Sequence, residues 1–337
     1  DGYQGRLEEA QQLAERGIEI ANQAGDEWIA SLSRLTIGAS YILAGQYSYS
    51  GEWLDKALRG FQECSDPFGI SATRLWQCLG WYQQGDDKIL AQALLDLLPV
   101  CQQNGYDFLF TKVSLLGPPD ERLLIPMLIW ARENSMVSRS YLERLLAAIG
   151  LDGIHSHPGY QLRVKTLGDF QVWRGSQQVV HNEWRREKTR QLFQILVTYR
   201  HAPLDREQIC EYLWPNTEPE ASQRNFKVTL NTLYSVLEPD RTAGQESAYV
   251  LREGAVYGLR PDADLKIDAE DFTAKLDQAG QLISQDIDQA LDLYEQAFDL
   301  YAGEFLPDAR YEVWSAIERE HLAVRYLQAA DEYCELN

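Results

Sequence analysis

Between Ala221 and Leu237 the chain reads ASQRNFKVTLNTLYSVL, and at helical periodicity its side chains sort into two faces. Phe226, Leu230, Leu233 and Leu237 recur at i, i+4, i+7 and i+11, a stripe suited to docking on a core. Arg224, Lys227, Val228, Asn231, Thr232 and Ser235 share the opposite face, and no carboxylate occurs in the stretch. Such residues can contact a nucleic-acid duplex in two ways. Cations neutralise phosphates, whereas amides, hydroxyls and small apolar groups read base edges in the major groove. Asn231 or Thr232 is then the candidate for base edges, Val228 for a thymine methyl, Arg224 for guanine or phosphate, and Lys227 for a phosphate anchor. The competing assignment is an ordinary solvated helix face.

The charge distribution bears on that choice. The chain of 337 residues has a net charge of -20, which by itself argues against phosphate binding. Residues 1–158 hold 12 Lys/Arg against 20 Asp/Glu, residues 159–260 hold 14 against 12, and residues 261–337 hold 5 against 19. Only the middle segment is not acidic. Its cations gather in Arg185, Arg186, Lys188 and Arg190, with Arg224 and Lys227 further on. The acidic flanks would repel DNA, so binding is confined to one surface. The Arg185–Arg190 cluster falls at the start of a helical pattern, where cations do not complement the local dipole, and is expected to clamp phosphates unless Glu183 or Glu187 takes some of the charge.

The elements that must hold these residues read as follows. From Gln161, alternation in Leu162, Val164, Leu167, Phe170, Val172 and Val179–Val180 predicts short antiparallel strands joined at Gly168-Asp169 and Arg174-Gly175. A helix follows from about Arg186 to Arg200, and a second from Arg206 to Leu213, capped by Asp205 and stopped at Trp214-Pro215. The Ala221–Leu237 helix is third. Tyr249–Arg252 and Val256–Leu259 then form a hairpin across Glu253-Gly254, with Arg252 beside its tip as a candidate for phosphate or minor-groove contact. Strands, three helices and a hairpin are the layout of a winged helix with an extra N-terminal sheet. Trp184, Trp214 and Trp314 fit packing roles at element ends.

Upstream, residues from Tyr3 to about Leu116 repeat every 40 positions: Gly5, Gly45 and Gly85; Ile18, Leu58 and Leu98; Trp28, Phe68 and Phe108; Leu35, Leu75 and Leu115. Each copy carries two helical patterns, which describes a helical-hairpin solenoid. These copies resemble tetratricopeptide repeats in the longer form of the maltose-regulon activator and similar signal-responsive ATPase regulators. Leu116-Gly117-Pro118-Pro119 ends the array. Two amphipathic segments follow, Glu121–Asn134 and Ser138–Ile149, the second with Ser138 as cap. The aperiodic Leu151–Tyr160 reads as a solvated linker in which His155 and His157 have no partners for a metal.

Leu162-Arg163-Val164 with Leu167-Gly168-Asp169-Phe170, Trp184, Leu213-Trp214-Pro215 and Leu233 to Leu237 ahead of Tyr257-Gly258-Leu259 resemble the winged helix of the Streptomyces antibiotic regulatory protein family. Asp268, Phe272, Ala290 to Tyr294, Leu300 to Pro307, Trp314, Glu318-Arg319 and Tyr326 are similar to the bacterial transcriptional activator domain that follows in that family. The family often has Arg after the position of Leu233, where this chain has Tyr234, so no cationic contact is implied there. The resemblance implies promoter DNA as ligand, recruitment of RNA polymerase, and an N-terminal ATPase module preceding such repeats, with this chain beginning and ending inside repeats.

Composition narrows the remaining classes. No apolar run approaches a membrane span and the N-terminus carries no signal-peptide pattern, so a cytoplasmic location is expected. The five cysteines, Cys64, Cys78, Cys101, Cys210 and Cys334, suggest neither disulfides nor zinc and are expected as core thiols. No phosphate loop, zincin or hydrolase motif occurs, so neither an enzyme nor a cofactor is expected. The expected fold is mainly α with a small β component. It comprises a solenoid at 1–150, a linker at 151–160, a winged-helix domain at 161–260 and a helical activator domain at 261–337. A repeat scaffold whose winged helix has lost DNA affinity is the second reading.

Overall fold

The computed structural model describes residues 6–134, 139–151, 153–242 and 244–336, which form two compact units divided between Gly159 and Tyr160. Gly5 and the Ser138 cap lie outside the described residues.

The first unit is helical: α1 (Leu7–Ala24), α2 (Glu27–Leu43), α3 (Tyr47–Glu63), α4 (Pro67–Gln84), α5 (Asp87–Asn104), α6 (Phe108–Thr111), α7 (Ile125–Glu133) and α8 (Arg139–Ala148). Sequential packing of α1 on α2, α2 on α3, α3 on α4 and α4 on α5 gives the repeat its sense. The period of 40 is a doubled unit. Gly25, Gly45, Gly85 and Gly105 follow successive helices with φ of 75°, 70°, 74° and 71°, and Ser65 occupies the same place with φ 53°. Each ends its helix in the left-handed conformation, where Gly avoids a Cβ clash. Asp26 and Asp66 then cap the next helix, accepting from the amides of Ile29 and Phe68.

The third copy departs from the pattern. Helix α6 stops at Thr111, and Leu115, in step with buried Leu35 and Leu75, is 87% exposed. The paired prolines deny residues 112–120 a helical ladder. The indole of the fully buried Trp76 instead donates to the Leu116 carbonyl at 2.8 Å. Residues 151 and 153–159 are irregular, as expected, but only partly solvated: Gly153 and His155 are exposed, whereas Leu151, Ile154 and His157 are buried, and Arg132 donates to the Ile154 carbonyl at 2.6 Å. Cys78, Cys101 and Cys210 are buried thiols, whereas Cys64 and Cys334 are exposed.

The second unit begins with strands β1 (Leu162–Lys165), β2 (Gln171–Arg174) and β3 (Gln177–Gln178). Helix α9 (Glu187–Thr198), strand β4 (Leu204–Asp205), helices α10 (Arg206–Leu213) and α11 (Pro219–Leu237) and the hairpin β5 (Val250–Glu253) and β6 (Val256–Leu259) follow. The chain then runs through β7 (Leu265–Ile267), α12 (Asp268–Leu282), α13 (Ile287–Leu300) and α14 (Val313–Leu336). One sheet has the order β3-β2-β1-β7 and the other β4-β6-β5. Val179 and Val180 lie just past β3, which is two residues long, and Val180 is exposed.

Strand β7 pairs in parallel with β1, Leu162 opposite Leu265, a pairing that alternation within residues 161–180 does not reveal. It carries the chain past residue 260 into the N-terminal sheet. One core, from Leu162 through Phe226 and Leu237 to Phe272 and Trp314, spans both expected C-terminal domains without a break at 260/261. The Leu167–Phe305 bridge and amide bonds from Gly168 to Glu304 and from Leu306 to Thr166 extend the join.

Candidate nucleic-acid interface

Helix α11 is positioned by its buried stripe. Phe226, Leu230, Leu233 and Leu237 are 5% exposed or less, and Phe226 meets Tyr257 of β6 edge-on at 4.8 Å. The helix begins at Pro219, two residues before the stretch picked out by its faces, with Pro at a helix start where no amide partner is needed. Arg224, Lys227, Val228, Asn231 and Ser235 are exposed along one stripe. Thr232 is half-buried and donates to the Val228 carbonyl at 2.9 Å, and Ser235 donates to the Asn231 carbonyl at 3.1 Å. Both hydroxyl protons turn back onto the helix. Asn231 is thus the stripe's exposed amide with both donor and acceptor available.

The basic cluster is built on an unusual backbone. Arg185 has φ 60° and ψ -38°, and the Arg186 amide donates to the Trp184 carbonyl at 2.6 Å. A bond across three residues with positive φ at the centre is a γ-turn of the rare, strained kind. Trp184 anchors it from below, stacked on Phe193 at 6.0 Å, which leaves Arg185 and Arg186 exposed on the rim of a hollow with His181, Asn182 and Glu187. The turn residues 181–184 pack against α11, and Arg174, bonded to both Glu183 and the Val236 carbonyl, ties them to its C-terminal end.

Strain of this kind costs about 1–3 kcal/mol and persists where the surroundings or a function require it. Arg185→Gly is therefore expected to raise the stability of the second unit by about 1 kcal/mol, the relieved strain less the entropy that Gly forfeits. If the cluster grips phosphates, the same variant weakens duplex binding. Thermal melts beside binding isotherms check this, and a variant that loses stability would refute the strain.

The cluster's four cations are not equivalent. Lys188 is half-buried, and Arg190 is committed elsewhere: it pairs with Glu187 at 3.2 Å and Asp308 at 2.8 Å and lies over the Phe170 ring. Burial works against its charge, yet the two carboxylates hold its pKa above the usual arginine range. Glu183 pairs with Arg174 rather than with the cluster.

In the hairpin, Arg252 is exposed with its guanidinium 5.9 Å from the Tyr257 ring centre. Tyr234 is buried, so the position after Leu233 faces inward, and burial raises its pKa. Trp184 and Trp314 are core residues, as their neighbours suggested, and Trp214 is half-buried. Cys210 sits against Ser222, and burial pushes its thiol pKa up, away from nucleophilic chemistry. Among the described residues no group of His, Cys, Asp and Glu could hold a metal, and no helix is long and apolar enough to cross a membrane.

Residues 267–337 match the bacterial transcriptional activator domain family. That match points to transcription regulation and away from an enzyme. No curated protein matches the chain. Among solved structures, the chain is similar to Mycobacterium tuberculosis EmbR in complex with a low-affinity phosphopeptide, with 19% identity and a TM-score of 0.46. The likeness covers 52% of this chain and 45% of that one, so this chain spans less than half of its length.

Proposed function

We propose that the chain is a transcriptional activator of the Streptomyces antibiotic regulatory protein type that binds promoter DNA through residues 161–260, folded as a winged helix. Helix α11 enters the major groove and the β5–β6 hairpin is the wing. One observation carries this reading: from Arg224 to Ser235 the exposed stripe of α11 holds no carboxylate, the helix's acid, Glu220, lying in its first turn, within a chain of net charge -20. Asn231 is the base-reading residue, with Val228 as apolar contact and Ser235 as acceptor. Arg224, Lys227, Arg185 and Arg186 hold phosphates. Lys188 contributes charge from the edge, Thr232 supports the helix face, and Arg190 serves the activator domain's contact before it serves DNA. The activator domain recruits RNA polymerase, and the helical repeats take a signal or partner.

The test is a pair of variants in the whole chain. Lys227→Ala is expected to weaken binding to all duplexes alike and to lower the slope of log K against log salt by about one. Asn231→Ala is expected to leave that slope and relax base preference, costing about 1–3 kcal/mol of discrimination. Wild-type slope and preference in both variants would remove α11 from the interface. The absence of salt-dependent retardation for the wild type would favour the scaffold reading.

A further inference from the structure

Across residues 160–260, most guanidiniums in contact with another group meet a carboxylate or a carbonyl, as Arg174, Arg190, Arg200 and Arg260 do. Two instead lie on tyrosine rings. Arg241 sits 4.4 Å from the centre of Tyr234, and Arg252 sits 5.9 Å from the centre of Tyr257. Tyr257 also meets Phe226 of α11 edge-on at 4.8 Å, so both ring contacts lie where the hairpin and the end of α11 come together, and both arginines act on the Tyr234 hydroxyl. Tyr234 is three residues past Asn231 and seven past Lys227, a buried ring one turn along the helix from the exposed stripe.

Glu238 feels the charge of Arg241, but its oxygens are taken by the Ser247 hydroxyl and the Ala248 amide. Arg241 Nε is buried without a hydrogen-bond partner among the described residues, while the residue as a whole remains half-exposed. A guanidinium held over an aromatic face loses little further entropy on binding and keeps its outer N–H groups for an anion. Planar, forked donors of this kind suit a phosphate.

Resting on the DNA-binding reading, we propose that Arg241 is a further phosphodiester-binding residue, held by Tyr234 as a positioning residue so that it and Arg252 grip the backbone on the wing side of the groove. Arg185 and Arg186, on the turn beside the end of α11, hold the backbone independently.

The test measures binding of the whole chain to a mixed-sequence duplex from low to moderate salt. Arg241→Gln is expected to weaken binding roughly three- to tenfold at moderate salt and to lower the salt slope by about one. Tyr234→Leu is expected to reproduce that loss, Tyr234→Phe to retain wild-type slope, and the Leu and Gln changes together to add nothing to either alone. Arg241→Gln lies on a surface turn and carries the test even if Tyr234→Leu disturbs folding. A cation placed only to complement the dipole at the end of α11 would shift the melting temperature and leave the slope intact, and that result overturns the proposal. So does a Tyr234→Phe variant that behaves like Leu. A wild-type chain with no salt-dependent binding would bring down the DNA reading itself, whereas wild-type binding with an unchanged Arg241→Gln slope removes only this inference.

Discussion

Arg200→Ala is expected to destabilise the whole of the second unit by about 2–4 kcal/mol, loosening α11 as well as the activator helices. The Arg200 side chain is 8% exposed, and it bonds Glu270 of α12 at 3.1 Å and Glu318 of α14 at 2.7 Å. Removing one member of a buried ion cluster leaves uncompensated charge, which costs about 3–5 kcal/mol when burial is complete. Glu270 is 39% exposed, so water screens part of that loss, and the lower range applies. Because one core runs from β1 through α11 to α14, the damage should not stay in the activator helices. Hydrogen exchange of the intact chain measures this. Peptides from α11 and from α12–α14 should lose protection together. Faster exchange confined to α12–α14 would show that the two parts open separately. Replacing Arg200 by Met together with Glu270→Gln and Glu318→Gln should recover much of the loss, since no charge is then stranded.

This cooperativity marks where sequence reading reaches its limit. Helix α10 and strand β6 were legible almost to the residue, because each has a local stop or start: Asp205, Trp214-Pro215 and Gly254; α11 was legible from its faces, which missed its first two residues, Pro219 and Glu220. The exposed stripe of α11 was legible for the same reason, since helical periodicity alone sorts Asn231 from Leu230. What local pattern could not supply was tertiary partnership. Nothing near Arg190 in the chain announces Asp308, and nothing near Arg241 announces its ring contact with Tyr234. The loop 240–247 reads only as a polar connector. The β1–β7 pairing spans about a hundred residues, and without it residue 260 looks like a boundary. Leu115 failed for a different reason: it keeps the repeat's spacing, but the helix that would have turned it inward is cut short before the prolines. The γ-turn at Arg185 had a weak trace, two cations at a helix start where the dipole disfavours them.

Asp268 is the other point at which the activator domain is fastened to the sheet, and its replacement by Ala is expected to cost about 3–5 kcal/mol. Its Oδ1 accepts from the Thr166 amide at 2.7 Å, the Thr166 hydroxyl at 2.6 Å and the Ala269 amide at 2.9 Å, and its Oδ2 accepts from the Leu167 amide at 2.9 Å. Thr166 and Leu167 are fully buried, so deleting the carboxylate strands their donors at about 1–3 kcal/mol each. Asn is no remedy, because its NH2 group would face a donor at Leu167 or at Thr166. The pH dependence distinguishes this account from a simple ion-pair picture. Burial raises the Asp268 carboxyl above its ordinary value of 3.8, with the hydrogen bonds opposing the shift only in part. A folded pKa above the unfolded one means that the folded chain takes up the proton more readily. The associated stability is fully present below the unfolded value and is lost as pH rises through the folded value. The stability gap between the wild type and Asp268→Ala should therefore widen as pH falls from neutrality through the folded pKa towards 3.8. The comparison cancels the acid destabilisation contributed by the chain's other carboxylates. Exchange protection of β1 and α12 peptides, followed in both proteins across that range, measures the gap, and a gap that narrows on acidification would show that the ionised carboxylate is the favoured form in the fold.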